Sequence, residues 1–156
     1  KVFANQNKDK AYIYGFSSNI KSQSSEEFLL SFSLNYTYGR IKTDSSDEPL
    51  DHIPPFMLRL GMNYTQKKFT SDLSINYNGW KRWKDYNLNG EDNEQYAPPD
   101  GMPAWFTLNL HASYKLNKHL TLQAGMDNMF DIQYRAFASG INAPGRNVFA
   151  ALRFNY

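Results

Sequence analysis

The chain has 156 residues, a length that suits one domain, with a formal net charge of +2 and 21% charged residues of both signs; that balance gives no case for nucleic-acid binding. Cysteine is absent, which excludes a disulfide framework and a thiolate metal site. Mean hydropathy is −0.66, no apolar run approaches the ~18 residues of a transmembrane helix, and the first residues do not read as a signal peptide.

After an opening piece at residues 1–5, about seven segments alternate apolar and polar residues at period two, the signature of half-buried strands. Tyr12, Tyr14 and Phe16 lead the first. Phe28, Leu30, Phe32, Leu34, Tyr36 and Tyr38 form one row of the second, with Ser31, Ser33, Asn35 and Thr37 opposite. The third sets Phe56, Leu58, Leu60, Met62 and Tyr64 against Arg59, Gly61, Asn63 and Thr65. The fourth sets Phe69, Leu73, Ile75 and Tyr77 against Thr70, Asp72, Ser74, Asn76 and Asn78. Phe106, Leu108, Leu110, Ala112 and Tyr114 oppose Thr107, Asn109, His111 and Ser113 in the fifth. Leu120, Leu122, Ala124 and Met126 oppose Thr121, Gln123 and Asp127 in the sixth. The seventh runs to the C-terminus, with Val148, Ala150, Leu152, Phe154 and Tyr156 in one row. No segment carries a helical period.

Low hydropathy with 16% aromatic residues, chiefly 11 Tyr and 11 Phe, is the composition of a membrane β-barrel, in which only alternate residues face lipid. Counted back from the C-terminus, connections alternate long (131–145, 81–104, 42–55) and short (115–119, 66–68, 21–26). Outer-membrane barrels have short periplasmic turns and longer outer loops, so Tyr156 is expected at the periplasmic side. That orientation puts Phe28, Tyr64, Phe69, Tyr114 and Tyr156 at periplasmic ends. Tyr14, Tyr38, Phe56, Tyr77, Trp80, Phe106 and Phe130 then fall at outer ends, with aliphatic residues between, as interfacial girdles require. A soluble lipocalin-like barrel shares the alternation but explains neither the girdles nor the one-sided long loops. The fold class expected is therefore all-β, an antiparallel up-and-down transmembrane β-barrel of about 7–8 strands.

The final third, LTLQAGMDNMFD followed by Gln133-Tyr134-Arg135, the run APGRN and an aromatic last strand, resembles the C-terminal end of TonB-dependent outer-membrane receptors of the Bacteroidetes type. Asn128-Met129-Phe130-Asp131 matches that family's N-L-F-D-like tetrad except for Met, and Pro144-Gly145-Arg146 matches its corner before the last strand. Ile53-Pro54-Pro55 and Tyr14-Gly15-Phe16 are weaker matches, Ser17 standing where an acidic residue is usual. The resemblance implies a barrel of roughly 22 strands around a plugged lumen, with residues 1–156 as its C-terminal segment and the N-terminal plug absent. It implies import of a scarce nutrient, with iron–siderophore, haem or cobalamin favoured over oligosaccharide. It also implies contact with outer-membrane lipid and lipopolysaccharide, insertion by the barrel-assembly machinery, and TonB engagement through the missing N-terminal region. The alternative is a small self-contained outer-membrane barrel serving as adhesin or anchor.

The local chemistry is read as follows. Asn128, Phe130, Asp131, Pro144, Gly145, Arg146, Phe154 and Tyr156 form an insertion and closure motif. Gly145 is expected to take a φ other residues avoid, Arg146 to anchor the corner through its side chain, and Asn128 and Asp131 to bond nearby backbone. Asp85, Asn87, Asn89 and Gly90 match the start of a calcium loop, but Tyr96 replaces the closing Glu, so a solvated turn is the better account. Trp80, Trp83 and Tyr86 interleave with Lys81, Arg82 and Lys84. The pattern suits an anionic or aromatic ligand, or lipopolysaccharide phosphates; an interfacial anchor is the preferred reading. His111 and Ser113 share a strand face without an acid that sequence places beside them, and His52 and His119 have no metal spacing. No enzyme activity, catalytic residue or cofactor is therefore expected.

Overall fold

A strand with one apolar and one polar row must present them to different media, and its backbone groups must bond to neighbouring strands. The computed structural model, which describes residues 10–43, 46–87, 92 and 94–156, satisfies both demands with one antiparallel sheet. In chain order the elements are β1 (Lys10–Gln23), β2 (Phe28–Lys42), β3 (Asp47–Pro49), β4 (Met57–Gln66), β5 (Phe69–Asn78) and β6 (Lys81–Arg82). Two 3-10 turns follow, at Trp83–Asp85 and Glu94–Tyr96, then β7 (Gly101–Met102), β8 (Trp105–Lys115), β9 (Leu120–Asp127) and β10 (Asn147–Phe154). The main sheet runs β1-β2-β4-β5-β8-β9-β10, with β3 paired to β2 and β6–β7 forming a separate ribbon. Every long strand thus lies beside its neighbours in sequence, the up-and-down order expected. The path is open: β1 and β10 are its ends and do not pair with each other.

Register keeps the rows in phase across the whole sheet. Leu30 stands opposite Met62, Met62 opposite Leu73, Leu73 opposite Leu110, Leu110 opposite Met126 and Met126 opposite Val148. On the other face Asn19, Ser33, Arg59, Asn76 and Thr107 align in the same way. A one-residue slip anywhere would exchange the faces of everything beyond it.

Burial is inverted relative to a water-soluble protein. On the central strands Leu60, Ile75 and Leu110 of the apolar face are 38%, 36% and 38% exposed, whereas Ser74, Asn78, Thr107 and Asn109 on the polar face are buried. A soluble barrel would enclose the apolar row; here that row faces outward, to a solvent that is itself apolar. The aromatics fall in two bands. Tyr64 lies 4.7 Å from Phe28 and 6.2 Å from Phe69 at the short-turn end. Tyr14–Tyr38, Phe56–Tyr77 and Phe106–Phe130 lie at 5.1, 6.3 and 5.8 Å at the long-loop end.

The structure departs from the sequence reading in detail. β1 runs on to Gln23 because Ser22 and Gln23 pair with Leu30 and Leu29, leaving a tighter turn. Phe56 precedes β4 rather than opening it, and the longest loop carries its own β6–β7 ribbon. The opening piece at residues 1–5 lies outside the described residues.

Two substitutions test the inversion. Leu60→Arg, at mid-strand on the apolar face, is expected to destabilise the protein in lipid by about 2–4 kcal/mol. Gln123→Arg on the polar face of β9 should stay within about 0.5 kcal/mol. Equal costs, measured by denaturant titration in bilayers, would overturn the assignment of faces.

Candidate functional site

The long loops gather at one end of the sheet, and their packing starts where β5 ends. The Gly79 N–H donates to the Phe56 carbonyl at 2.7 Å. Beyond it, alternation sends Trp80 and Arg82 to one side and Lys81 to the other. Lys81 is 4% exposed. Its Nζ donates to the Ile53 carbonyl at 2.6 Å and to Asp92 Oδ2 at 3.1 Å, and lies 4.9 Å from the Tyr86 ring centre and 4.6 Å from that of Phe137. Asp92, also buried, accepts the His52 backbone N–H at 3.2 Å and lies 3.1 Å from His52 Nδ1. One ammonium–carboxylate pair therefore ties the loops at 43–56, 79–104 and 128–146 together. Burial lowers the Lys81 pKa from its usual 10.5, while Asp92 works against that shift.

Asp51, His52 and Asp92 bring one ligand atom each within 4.8 Å of one another. Sequence spacing could not announce this, because Asp92 is 40 residues from His52. The Lys81 ammonium already sits where a cation would balance Asp92. Of the calcium-loop residues, Asn87 donates Nδ2 to the Pro49 carbonyl at 2.9 Å and Asp85 lines an outer cleft. Asn89 and Gly90 lie outside the described residues.

The six aromatic and basic residues grouped in the sequence are thus divided. Lys81 and Tyr86 are buried inside the loop cluster. Arg82 stacks its guanidinium 3.9 Å from the Trp80 ring centre, and Trp80 Nε1 donates to the Asp100 carbonyl at 3.0 Å. Trp83 is 42% exposed and tilts against Tyr86 at 6.1 Å; Lys84 is exposed. The β6–β7 ribbon that fixes them requires Gly101, whose φ of 89° and crowding by Lys81, Arg82 and Trp83 backbone admit no side chain.

The corner between β9 and β10 is organised by Asn128, which is 2% exposed. Its backbone N–H donates to Asn109 Oδ1 at 2.9 Å, its Nδ2 to the Ile132 and Pro144 carbonyls at 2.9 and 3.4 Å, and its Oδ1 accepts the Ile132 N–H at 2.9 Å. Two expectations are corrected here. Asn128 (φ 48°) and Asp131 (φ 55°) take left-handed conformations, as Ala138 (φ 58°) does further along the same connection, whereas Gly145 does not; Asn and Asp tolerate that region. Gly145 serves by its smallness: a Cβ there would stand 2.6 Å from Asp131 Oδ1. That oxygen accepts the backbone N–H of Arg146 at 2.7 Å, so the main chain of Arg146, rather than its guanidinium, anchors the corner. Phe130 and Phe154 point outward, 56% and 67% exposed, and Tyr156 is fully exposed.

One further correction concerns His111. Strand pairing brings Asp127 Oδ1 to 2.8 Å from its Nε2, an acid that sequence alone did not place there. Ser113 follows two residues on along the same face, about 7 Å away by the strand repeat, beyond reach for proton transfer.

An antiparallel sheet with an apolar outer face, a polar inner face, aromatic bands and long loops at one end is a segment of transmembrane β-barrel wall. Residues 2–129 match the family model described as TonB dependent receptor-like, beta-barrel, and the chain belongs to that family, whose members are Gram-negative outer-membrane proteins. Among solved structures it is similar to the copper transporter OprC, with a TM-score of 0.76 and 22% identity over 94% of this chain and 24% of that one. It is similar to the ferric enterobactin receptor PfeA of Pseudomonas aeruginosa, with a TM-score of 0.63 and 19% identity over 92% and 22% of the two chains. The ferric-catecholate import receptor Fiu of K12 E. coli, in its closed form, gives 0.69 and 15% over 95% and 21%. The chain therefore spans less than a quarter of the length of each of these structures. No curated protein matches it significantly in sequence.

Lys81→Met leaves the Asp92 carboxylate buried without its cation and is expected to cost about 3–5 kcal/mol, whereas K81M/D92L should recover most of that loss. Between the lowered pKa of folded Lys81 and 10.5, the unfolded chain binds more protons. Wild-type stability should therefore rise with pH in that window, and K81M should lose the rise. Denaturant titrations in detergent over an alkaline pH series check both. Asn128→Ala, which loses three side-chain bonds and strains φ, should cost about 3 kcal/mol; Asn128→Gly should cost less in the same titration.

Proposed function

We propose that the chain forms the C-terminal part of the barrel wall of a TonB-dependent transporter. Its loops at 43–56, 79–104 and 128–146 would form one sector of the outer mouth, where a scarce nutrient is captured. The observation that carries this is the combination of family membership with three long loops cross-tied at one end of a sheet whose outer face is apolar. A rigid mouth over a polar inner wall suits a captured solute passing inward along that wall. An iron–siderophore complex, haem or cobalamin is favoured as substrate over oligosaccharide. It is in keeping with the copper, ferric-enterobactin and ferric-catecholate names of the similar structures, each a property of those proteins. TonB coupling belongs to an N-terminal plug encoded upstream, and insertion to the barrel-assembly machinery.

The gene decides the first half of this reading. Coding sequence ahead of Lys1 should contain further alternating strands and a plug; a signal peptide directly before Lys1 would favour the self-contained adhesin instead. Deleting the gene should abolish growth on one metal-chelate source while leaving growth on free iron salts unchanged. Unaltered uptake of every chelate, haem and cobalamin would overturn the substrate class.

A further inference from the structure

The polar face of the sheet carries a pocket of about 350 Å³. Every strand residue that lines it belongs to the polar row of β4, β5, β8, β9 or β10, and none to the apolar row. It therefore opens on the inner side. Tyr134, Pro144 and Gly145, from the connection after β9, line it as well and bound it at the long-loop end. Thr107 holds its floor together, because its Oγ1 accepts Asn76 Nδ2 and Asn109 Nδ2, each at 3.4 Å.

Three groups in this pocket are left over. Ser74 is 5% exposed, and its hydroxyl makes no hydrogen bond among the described residues; a hydroxyl so deeply placed ordinarily has a partner. Arg59 and Asp72 also line the pocket, and neither is ion-paired among the described residues. Arg59 stands opposite Asn76, and Asp72 lies four residues further along β5, about 13 Å away by the strand repeat. Ser74 falls between them in the same row. The second acid of the pocket, Asp127, is already held by His111 at 2.8 Å.

A guanidinium at one end, a carboxylate at the other and a buried hydroxyl between them complement a polar solute with an anionic group and an ammonium about a nanometre apart. Haem, an apolar disc with two carboxylates, would leave Asp72 and Ser74 unmatched. A ferric tris-catecholate would set several negative charges against Asp72.

We propose that this pocket binds a zwitterionic metal chelate on the inner wall, its anionic arm on Arg59, its ammonium arm on Asp72 and a hydroxyl or amide on Ser74. The site rests on the import reading and narrows its substrate class to hydrophilic chelates that carry both charges.

The test uses the full-length receptor, plug included, and four ferric trihydroxamates that differ only in their arms: zwitterionic, ammonium only, carboxylate only and neutral. Binding to the purified receptor is read by calorimetry, and radioiron uptake is read in cells. The zwitterionic probe is expected to bind tightest. D72N should weaken the two ammonium-bearing probes about tenfold, and R59Q the two carboxylate-bearing probes by a similar factor, as loss of a charge-assisted bond implies. S74A should weaken all four about threefold. Heat-modifiable migration checks folding, and D72S replaces D72N if that variant fails to fold. Arm-dependent binding without uptake of any probe would sustain the pocket and sink the import reading; uptake indifferent to the arms would do the reverse. Equal weakening of all four probes by D72N or R59Q would overturn the proposal. So would entry of a large antibiotic into cells carrying either variant, which would set these charges against the plug instead.

Discussion

In hydrocarbon a backbone N–H or C=O has no water to bond, so every spanning strand must satisfy its groups laterally. That constraint organises the chain. Each long strand is hydrogen-bonded to its sequence neighbours, and seven strands stay in register from Ile20 to Leu152, so that no row crosses from one face to the other. The inverted burial follows from the same rule. With lipid outside, burying the apolar row would gain nothing, while the polar row needs the inner face, where Ser74, Asn78, Thr107 and Asn109 lie enclosed. Among the described residues the path from β1 to β10 is open, so each end strand presents one edge.

Above the membrane the constraint changes. Water is available, so loops are held by specific interactions rather than by obligatory pairing. Lys81 and Asp92 act as a fastener because they are buried together and each contacts residues from other loops: Ile53 and Phe137 for Lys81, His52 for Asp92. A buried pair of this kind is conditional. It holds the mouth together only while both members are present, because either charge left alone is costly. Arg82, the next residue on the same ribbon, is exposed and stacks on Trp80 instead.

The strands were legible because alternation is a local property, written in residues two apart and insensitive to what the sheet later does. The corner was half legible. Asn128 and Asp131 were readable as backbone-bonding turn residues, but their left-handed conformations, and the use of Gly145 for space rather than for φ, depend on a contact between segments some 15 residues apart. The acid beside His111 and the companions of His52 were not legible. Asp127 reaches His111 through the β8–β9 register, and Asp92 reaches His52 through loop packing, which carries no periodic signal.

By itself the sequence determined the class of solvent on each side of the sheet, the number and order of the long strands, and which ends carry long loops. Those follow from alternation, turn chemistry and the placement of aromatic residues, each set by near neighbours in the chain. Tertiary structure decided which residues of the basic aromatic cluster are buried and which stay exposed, and that β2 runs on to Lys42 after its pairing with β4 stops at Asn35. It also brought Lys81, Asp92 and His52 together. Those outcomes depend on where strand pairing stops and on how separate loops pack, quantities to which no single stretch of sequence corresponds.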